Sequence, residues 1–164
     1  MEYRKKLLEY NVNNLLNNKV IYCDGTFDLL HTGHLNFFKK IRSLGCKKLI
    51  VGIISDSNVE SYKRKPILNE ETRGEIVKSL QCVDNVIVNC PFFNLTNNFI
   101  EYHGIDLIVY GGYPNTENPL KIWKNHYKVA IENKIINILD YSEGLSKILI
   151  INKIKNIYIY IIYV

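Results

Sequence analysis

Short apolar runs alternate with amphipathic segments along most of the chain, and this alternation restricts the possible folds more than any other feature. The runs at 19–23, 48–54, 85–88, 106–110 and 135–139 have the length of buried strands. Segments with helical spacing separate them. Because parallel strands need crossover connections, the pattern predicts a doubly wound α/β fold with a five-stranded parallel sheet flanked by helices.

The helical segments predict one Rossmann-like domain over 1–164, with its core at about 19–156. Helices are expected at 2–17, 33–44, 69–80, 96–102, 119–127 and 145–156. Asn69 is expected to cap the third helix, with Glu70 and Glu71 near its positive end. The apolar tail 157–164 is compatible with an added strand, an interface or a poorly specified end.

Composition and charge exclude several classes of protein. The 21 basic and 16 acidic residues give a net charge of +5, and they are scattered, which disfavours a dedicated nucleic-acid binder and suits a small anionic ligand. No apolar run has the roughly 18–20 residues of a membrane helix. The four cysteines form no CxxC pair and no metal-ligand spacing. We therefore expect reduced thiols, a cytoplasmic protein and no protein metal site.

The chemistry is concentrated in the segment GTFDLLHTGH at 25–34, which joins the first strand to the next helix. Gly25 lets the backbone turn sharply, so that its N–H groups can face a phosphate. His31 and His34 flank Gly33 at a helix start, where the dipole favours anions and both rings can reach one phosphoryl group. Neither GxxxxGK[ST] nor GxGxxG occurs, which disfavours a P-loop or dinucleotide enzyme.

The full segment resembles the HxGH motif of the nucleotidylyltransferase superfamily. It is most similar to the cytidylyltransferases that act on glycerol 3-phosphate, phosphocholine or phosphoethanolamine. The resemblance extends from about residue 20 to residue 154. It includes VGIISD at 51–56, YKRKP at 62–66, NEETR at 69–73 and CVDNV at 82–86.

The resemblance implies roles for particular side chains. His31, His34 and Lys63 would contact the nucleotide phosphates, with Lys65 a second candidate for the lysine, and Arg73 would support the phosphate site. The expected catalytic set comprises His31, His34, Lys63 and Arg73. The expected nucleotide-binding set comprises Gly25, Thr26, Phe27, Gly33, Gly111, Gly112, Ser142, Glu143, Gly144, Leu145, Ser146 and Lys147.

Two segments depart from the family pattern. At 141–148 the chain has YSEGLSKI where the family has R-T-E-G-I-S-T-[ST], so Tyr141 replaces an arginine and Lys147 a hydroxyl residue. Gly111 and Gly112 stand where these cytidylyltransferases often have two aspartates. A Gly-Gly pair here also resembles sugar-phosphate adenylyltransferases, which leaves the choice of nucleotide base open.

The resemblance implies a function with two open alternatives. The expected enzyme transfers CMP from CTP to a small phosphorylated alcohol, releases pyrophosphate, uses Mg²⁺ carried mainly by the nucleotide, and forms a homodimer without stable membrane association. The alternatives are an adenylyltransferase acting on a sugar phosphate and a catalytically impaired nucleotide-binding protein. Among other residues, Asp28 is expected to brace its loop, and His103, His126 and Trp123 to have structural or surface roles.

Overall fold

A computed structural model describes residues 16–112, 124–140 and 147–163, and within them it shows a parallel sheet flanked by helices. The strands are β1 (Val20–Gly25), β2 (Lys48–Ile53), β3 (Asn85–Val88), β4 (Leu107–Gly112) and β5 (Ile136–Asp140). The helices are α1 (Thr32–Ser43), α2 (Asp56–Glu60), α3 (Glu70–Lys78), α4 (Asn97–Tyr102), α5 (Lys128–Glu132) and α6 (Lys147–Tyr163). The described strands have the order β3-β2-β1-β4-β5 and all pair in parallel, which confirms the predicted α/β fold.

The strands β1, β2 and β4 are buried on both faces of the sheet, which explains their uninterrupted apolar runs, whereas the edge strand β3 is partly exposed. Ile21 and Cys23 of β1 face a core cluster that includes Phe38 of α1, whereas Tyr22 faces a second cluster that includes Ala130 of α5. The strand order reverses at β1, whose neighbours are β2 and β4. Ligands of such sheets bind outside the carboxyl ends of the strands at this reversal.

Most predicted elements are confirmed, and the differences have local causes. Asn69 caps α3, because its side chain accepts a hydrogen bond of 2.8 Å from the backbone N–H of Thr72. The prediction that β1 ends at Cys23 is wrong, since Asp24 and Gly25 continue its pairing with β2. Helix α2 was not predicted, because five residues are too few to show the hydrophobic spacing of a helix.

Three predictions concern segments that are only partly described. The predicted helix at 119–127 is wrong where it can be compared, because 124–127 form a turn and α5 begins at Lys128. Of the predicted first helix, 1–15 lie outside the described residues, and 16–18 form a bend and turn. Helix α6 continues to Tyr163, so most of the apolar tail is helical. No helix in the described ranges has both the length and the apolar character needed to cross a membrane.

The end of α5 offers a test of backbone strain. Lys134 lies one residue beyond the C-cap with φ +57°, and Lys134 N–H and Ile135 N–H donate to the carbonyls of Ile131 and Ala130. This Schellman motif favours glycine at the left-handed position. The end of α4 has the same pattern, with Gly104 at φ +60°.

We expect Lys134→Gly to raise the free energy of unfolding by about 1 kcal/mol. The backbone of Lys134 is in the left-handed region, where a Cβ atom is strained, and its exposed side chain makes little packing that would be lost. Gly104→Lys is the matched control and should lower it by a similar amount. Urea denaturation of the three proteins measures both changes, and a Lys134→Gly protein less stable than the original would contradict the assignment of strain.

Candidate active site

The two histidines of the GTFDLLHTGH segment cap helix α1 reciprocally. His31 is the N-cap, and its Nδ1 accepts a hydrogen bond of 3.1 Å from the backbone N–H of Gly33. Nδ1 of His34 accepts in turn from the backbone N–H of His31 at 3.3 Å. This is a capping box in which imidazoles replace the usual hydroxyl and carboxylate. The helix start therefore fixes the orientation of both rings.

The capping bonds also fix where each ring carries its proton. A nitrogen that accepts a hydrogen bond holds no hydrogen, so the neutral rings carry it on Nε2. The rings stack with centroids 3.9 Å apart and planes inclined by 28°. The two imidazoles thus form a rigid pair of Nε2–H donors at the positive end of a helix, which suits an oligophosphate.

Both imidazoles are held in the neutral form. Burial is the largest cause that lowers the pKa of His34 to about 3; neighbouring His31 and Lys63 lower it as well, and Asp28 opposes them. Burial also lowers the pKa of His31. Negative charge that develops on a phosphate would strengthen the hydrogen bonds that the Nε2–H groups of these neutral rings donate to it.

The low pKa of His34 predicts an acid-labile fold. The unfolded chain binds a proton on this ring below about pH 6.5, whereas the folded protein does so only near pH 3. This ring therefore leaves the free energy of unfolding unchanged above about pH 6.5 and lowers it progressively as the pH drops from there towards 3. His34→Asn removes this titration while its amide oxygen can still accept from His31 N–H.

Urea denaturation at pH 7, 5.5 and 4.5 measures this effect. Between pH 6.5 and 4.5 the original protein should take up more protons on unfolding than His34→Asn, by up to about one proton. Equal pH dependence of the two proteins would show that the ring is solvated and titrates normally in the folded state.

Arg73 lies beneath the histidine segment. Its side chain is fully buried, and its guanidinium donates to four acceptors, namely the carbonyl oxygens of Thr26, Ile54 and Leu68 and the carboxylate of Asp56. These acceptors come from the ends of β1 and β2 and from the start of α2 and the turn before α3. Arg73 therefore joins the segments that surround the site. Its part in the site is to position the backbone, and it does not line the cavity described below.

Asp28 braces its loop, as the sequence predicts. Its side chain is almost fully buried and accepts hydrogen bonds from the backbone N–H groups of Ile67, at 2.9 Å, and Leu68, at 3.0 Å. Lys147 at the start of α6 donates to the same carboxylate. Burial alone would raise the pKa of Asp28, but these three donors together lower it. Asp28 thus holds α6 and the turn before α3 against the histidine segment.

Lys63 is a cationic side chain close to the two histidines. Burial lowers its pKa, and so does the positive charge of Lys147 nearby. Its ammonium lies 5.1 Å from the centroid of the Tyr62 ring. Lys65, the other candidate, is 77% exposed and pairs with Glu60 at 3.6 Å. Lys63 is therefore the lysine that the structure places at the site.

A cavity of about 380 Å³ opens at the carboxyl ends of β1 and β4. Eight of the predicted site residues line it, namely Gly25, Thr26, Phe27, His31, His34, Lys63, Gly111 and Lys147. A Cβ atom at Gly25 would lie 2.9 Å from the ring of Phe27, so any side chain there would displace this ring. The backbone of Phe27 folds back at φ +48°.

Other predicted residues have different positions. Gly33 is buried within the first turn of α1, and Gly112 packs against Ile138, whose Cγ2 would lie 2.9 Å from an added Cβ. Neither lines the cavity. Ser142, Glu143, Gly144, Leu145 and Ser146 fall outside the described residues, as does Trp123, so their assignments stay predictions.

The sequence missed the opposite wall of the cavity. His126, expected in a structural or surface role, is buried and lines the cavity with Tyr127 and Asp24. Nε2 of His126 is 2.6 Å from Oδ2 of Asp24, and the hydroxyl of Tyr127 donates to Oδ1. Asp24 and His126 are 102 residues apart, so only the fold brings them together.

No protein metal site is evident in the described part of the chain, where no three His, Cys, Asp or Glu side chains group around a common point. The acids in the cavity wall, Asp24 and Asp28, accept hydrogen bonds from protein donors. The four cysteines are free thiols.

Several known proteins are similar to this chain. The cytidylyltransferase-like family model matches residues 22–157. An ethanolamine-phosphate cytidylyltransferase of Arabidopsis thaliana is 33% identical over 83% of this chain and 32% of its own length. An FAD synthase of Methanothermus fervidus is 36% identical over 80% of this chain and 91% of its own. A bifunctional protein HldE of Helicobacter pylori is 33% identical over 90% of this chain and 30% of its own.

These relatives differ in length. The chain matches only about a third of the length of the ethanolamine-phosphate cytidylyltransferase and of the HldE protein.

A crystal structure of the lipopolysaccharide core biosynthesis protein from Thermoplasma volcanium GSS1 superposes on this chain with a TM-score of 0.57. It is 24% identical, and the match covers 76% of this chain and 97% of that one. This likeness supports the fold.

Proposed function

The chain belongs to the cytidylyltransferase-like family of nucleotidylyltransferases, and we propose that it transfers CMP from CTP to a small phosphorylated alcohol with release of pyrophosphate. The observation that carries the proposal is the cavity wall in which two neutral imidazoles on one helix start lie beside the Lys63 and Lys147 ammonium groups. Such a wall matches the charge and the several oxygens of a triphosphate.

The proposed reaction needs positioning and charge stabilisation rather than a covalent enzyme intermediate. A phosphate oxygen of the acceptor attacks the α-phosphorus of the nucleotide, and the bond to the bridging oxygen of pyrophosphate breaks in line. His31 and His34 donate to phosphate oxygens as charge develops, and Lys63 neutralises part of that charge. Since the capping bonds fix the rings in advance, little reorganisation is needed during the reaction.

Lys147 has a particular place in this proposal. The sequence has Tyr141 where the family has arginine, which removes one cationic fork. Lys147 lines the cavity, and its ammonium donates to the carboxylate of Asp28. We propose that Lys147 supplies cationic charge to the nucleotide phosphates in place of the missing arginine.

The choice of nucleotide has a second candidate. Gly111 lies at the cavity and offers no carboxylate there, whereas the related cytidylyltransferases often have aspartates in this segment. Relatives named FAD synthase and HldE have identities similar to that of the ethanolamine-phosphate enzyme. Adenylyl transfer from ATP to a sugar phosphate is therefore the alternative.

Other features of the proposal follow from the family. Mg²⁺ would enter with the nucleotide, because the leaving pyrophosphate needs a counter-charge and the described residues provide no carboxylate cage. Homodimerisation follows from the family resemblance and stays a prediction, as does a role in phospholipid synthesis, which is the use of the expected product. The cytoplasmic location is the prediction made from the unpaired cysteines.

The decisive experiment measures pyrophosphate release with CTP or ATP, Mg²⁺ and a panel of acceptors. The panel contains phosphoethanolamine, phosphocholine, glycerol 3-phosphate and sugar phosphates. Turnover with CTP supports the proposal, and turnover with ATP alone supports the adenylyl alternative. If nucleotides raise the melting temperature but no acceptor is turned over, the chain is a nucleotide-binding protein or acts on an acceptor outside the panel.

A further inference from the structure

One cationic side chain of the cavity has no part in the reaction as described so far. The lysine and arginine side chains of the described residues that line the cavity are Lys63, Arg64 and Lys147. The proposed reaction uses Lys63 and Lys147 for the nucleotide phosphates. Arg64 is exposed, and none of the ion pairs between described residues includes it. Its guanidinium is therefore available to a ligand.

Arg64 lies in a short segment that is anchored at both ends. On the N-terminal side, Tyr62 stacks on Phe92 with ring centroids 4.9 Å apart and planes inclined by 21°. On the C-terminal side, Pro66 is buried, and its ring fixes the backbone φ angle. A residue between such anchors loses less freedom when its side chain binds a ligand, because less of the chain has to be ordered.

The neighbours of Arg64 show which part of the cavity it faces. Lys63 is close enough to His34 for its charge to act on that ring, so it belongs to the phosphate-binding wall. Tyr62 contacts Phe92, which lines a part of the cavity to which no nucleotide-binding residue is assigned. Arg64 lines the cavity next to both, and it therefore lies where the phosphate-binding wall meets the remaining wall.

The proposed reaction needs a cation at this boundary. A phosphate monoester carries close to two negative charges at neutral pH, and it must approach the α-phosphorus on the side opposite to the leaving pyrophosphate. The triphosphate is itself strongly negative, so the two substrates repel each other unless a positive group lies beside them. A guanidinium suits this place better than an ammonium, because its planar fork can donate to two phosphate oxygens and leave the third for attack.

We propose that Arg64 binds the phosphate group of the acceptor and presents one of its oxygens to the α-phosphorus of the nucleotide. That oxygen forms the new bond to phosphorus as the bond to pyrophosphate breaks, and the guanidinium keeps all its protons. The inference rests on the proposed nucleotidyl transfer and adds a residue that recognises the second substrate. The acceptor is then a phosphate monoester, because a diester has too few terminal oxygens to occupy the fork and attack at once.

The test measures kcat and both KM values in the original protein and three variants, with the acceptor that the panel identifies. Arg64→Gln should raise the acceptor KM roughly tenfold or more and leave the nucleotide KM within about twofold, because charge-assisted hydrogen bonds to one substrate are lost. Arg64→Lys keeps the charge without the fork and should give an intermediate acceptor KM.

Lys65→Gln is the matched control. It removes the same charge one residue away, from an exposed side chain that pairs with Glu60 and does not line the cavity. Both KM values should stay close to those of the original protein. Circular dichroism and the melting temperature show whether each variant is folded.

Two results would overturn the proposal while nucleotidyl transfer stands. One is an unchanged acceptor KM in Arg64→Gln, and a raised nucleotide KM in the same variant would place the guanidinium on the triphosphate instead. The other is an equal rise of the acceptor KM in Lys65→Gln, which would show that only the general positive charge of the segment matters.

If no acceptor is turned over, nucleotidyl transfer fails and binding decides the inference. Calorimetric titration with glycerol 3-phosphate and with phosphoethanolamine, in the presence of CTP and Mg²⁺, then replaces the assay. Binding that weakens roughly tenfold in Arg64→Gln but not in Lys65→Gln supports the phosphate contact. Absence of binding to the original protein, or equal binding to it and to Arg64→Gln, overturns it.

Discussion

His34→Asn is expected to lower the rate of nucleotidyl transfer by about 10²–10³ while leaving the protein folded. The asparagine oxygen can take the place of Nδ1 and accept from the backbone N–H of His31, a bond of 3.3 Å in the original protein. What the variant lacks is the Nε2–H donor. The substitution therefore separates the chemical role of the ring from its role in the helix cap.

His34→Ala is the comparison that completes this test. It removes both the donor and the capping acceptor, so we expect the same loss of rate together with about 1 kcal/mol of stability. Rates are measured as pyrophosphate release at saturating nucleotide and acceptor, and stability by urea denaturation. A His34→Asn protein with nearly full activity would show that the ring does not act on the phosphates.

Arg73→Met is expected to lower the free energy of unfolding by about 3–5 kcal/mol. Methionine fills much of the same volume but leaves three buried carbonyls and a partly buried carboxylate without their donor. A loss of this size is a large part of the stability of a domain of this length. The carbonyl of Thr26 is among these acceptors, so activity should also fall.

Lys78→Met on the same helix is the control for this substitution. Lys78 is exposed at the end of α3, and its replacement should change stability by less than about 0.5 kcal/mol. Urea denaturation measures both variants. A loss below about 1 kcal/mol for Arg73→Met would contradict the view that this guanidinium joins the segments around the site.

How far the sequence could be read depended on how local each signal was. The strands were found because burial on both faces leaves a continuous apolar run, which is visible without a partner. Asn69 and His31 were found as residues of helix starts, because a cap bonds to a backbone N–H only two or three residues away. The errors arose where composition weakened local signals, as at 124–127 and in the Ile- and Tyr-rich tail.

The same distinction between local and long-range signals applies to the candidate site. By itself the sequence determined the parallel α/β fold and the helix start that carries His31 and His34, since both follow from residues close together in the chain. Only the tertiary structure decided that Arg73 is buried beneath the site, that Lys147 reaches Asp28 across 119 residues, and that His126 contacts Asp24. Pairings at such separations depend on which strands become neighbours, and that choice is made by the packing of the whole sheet.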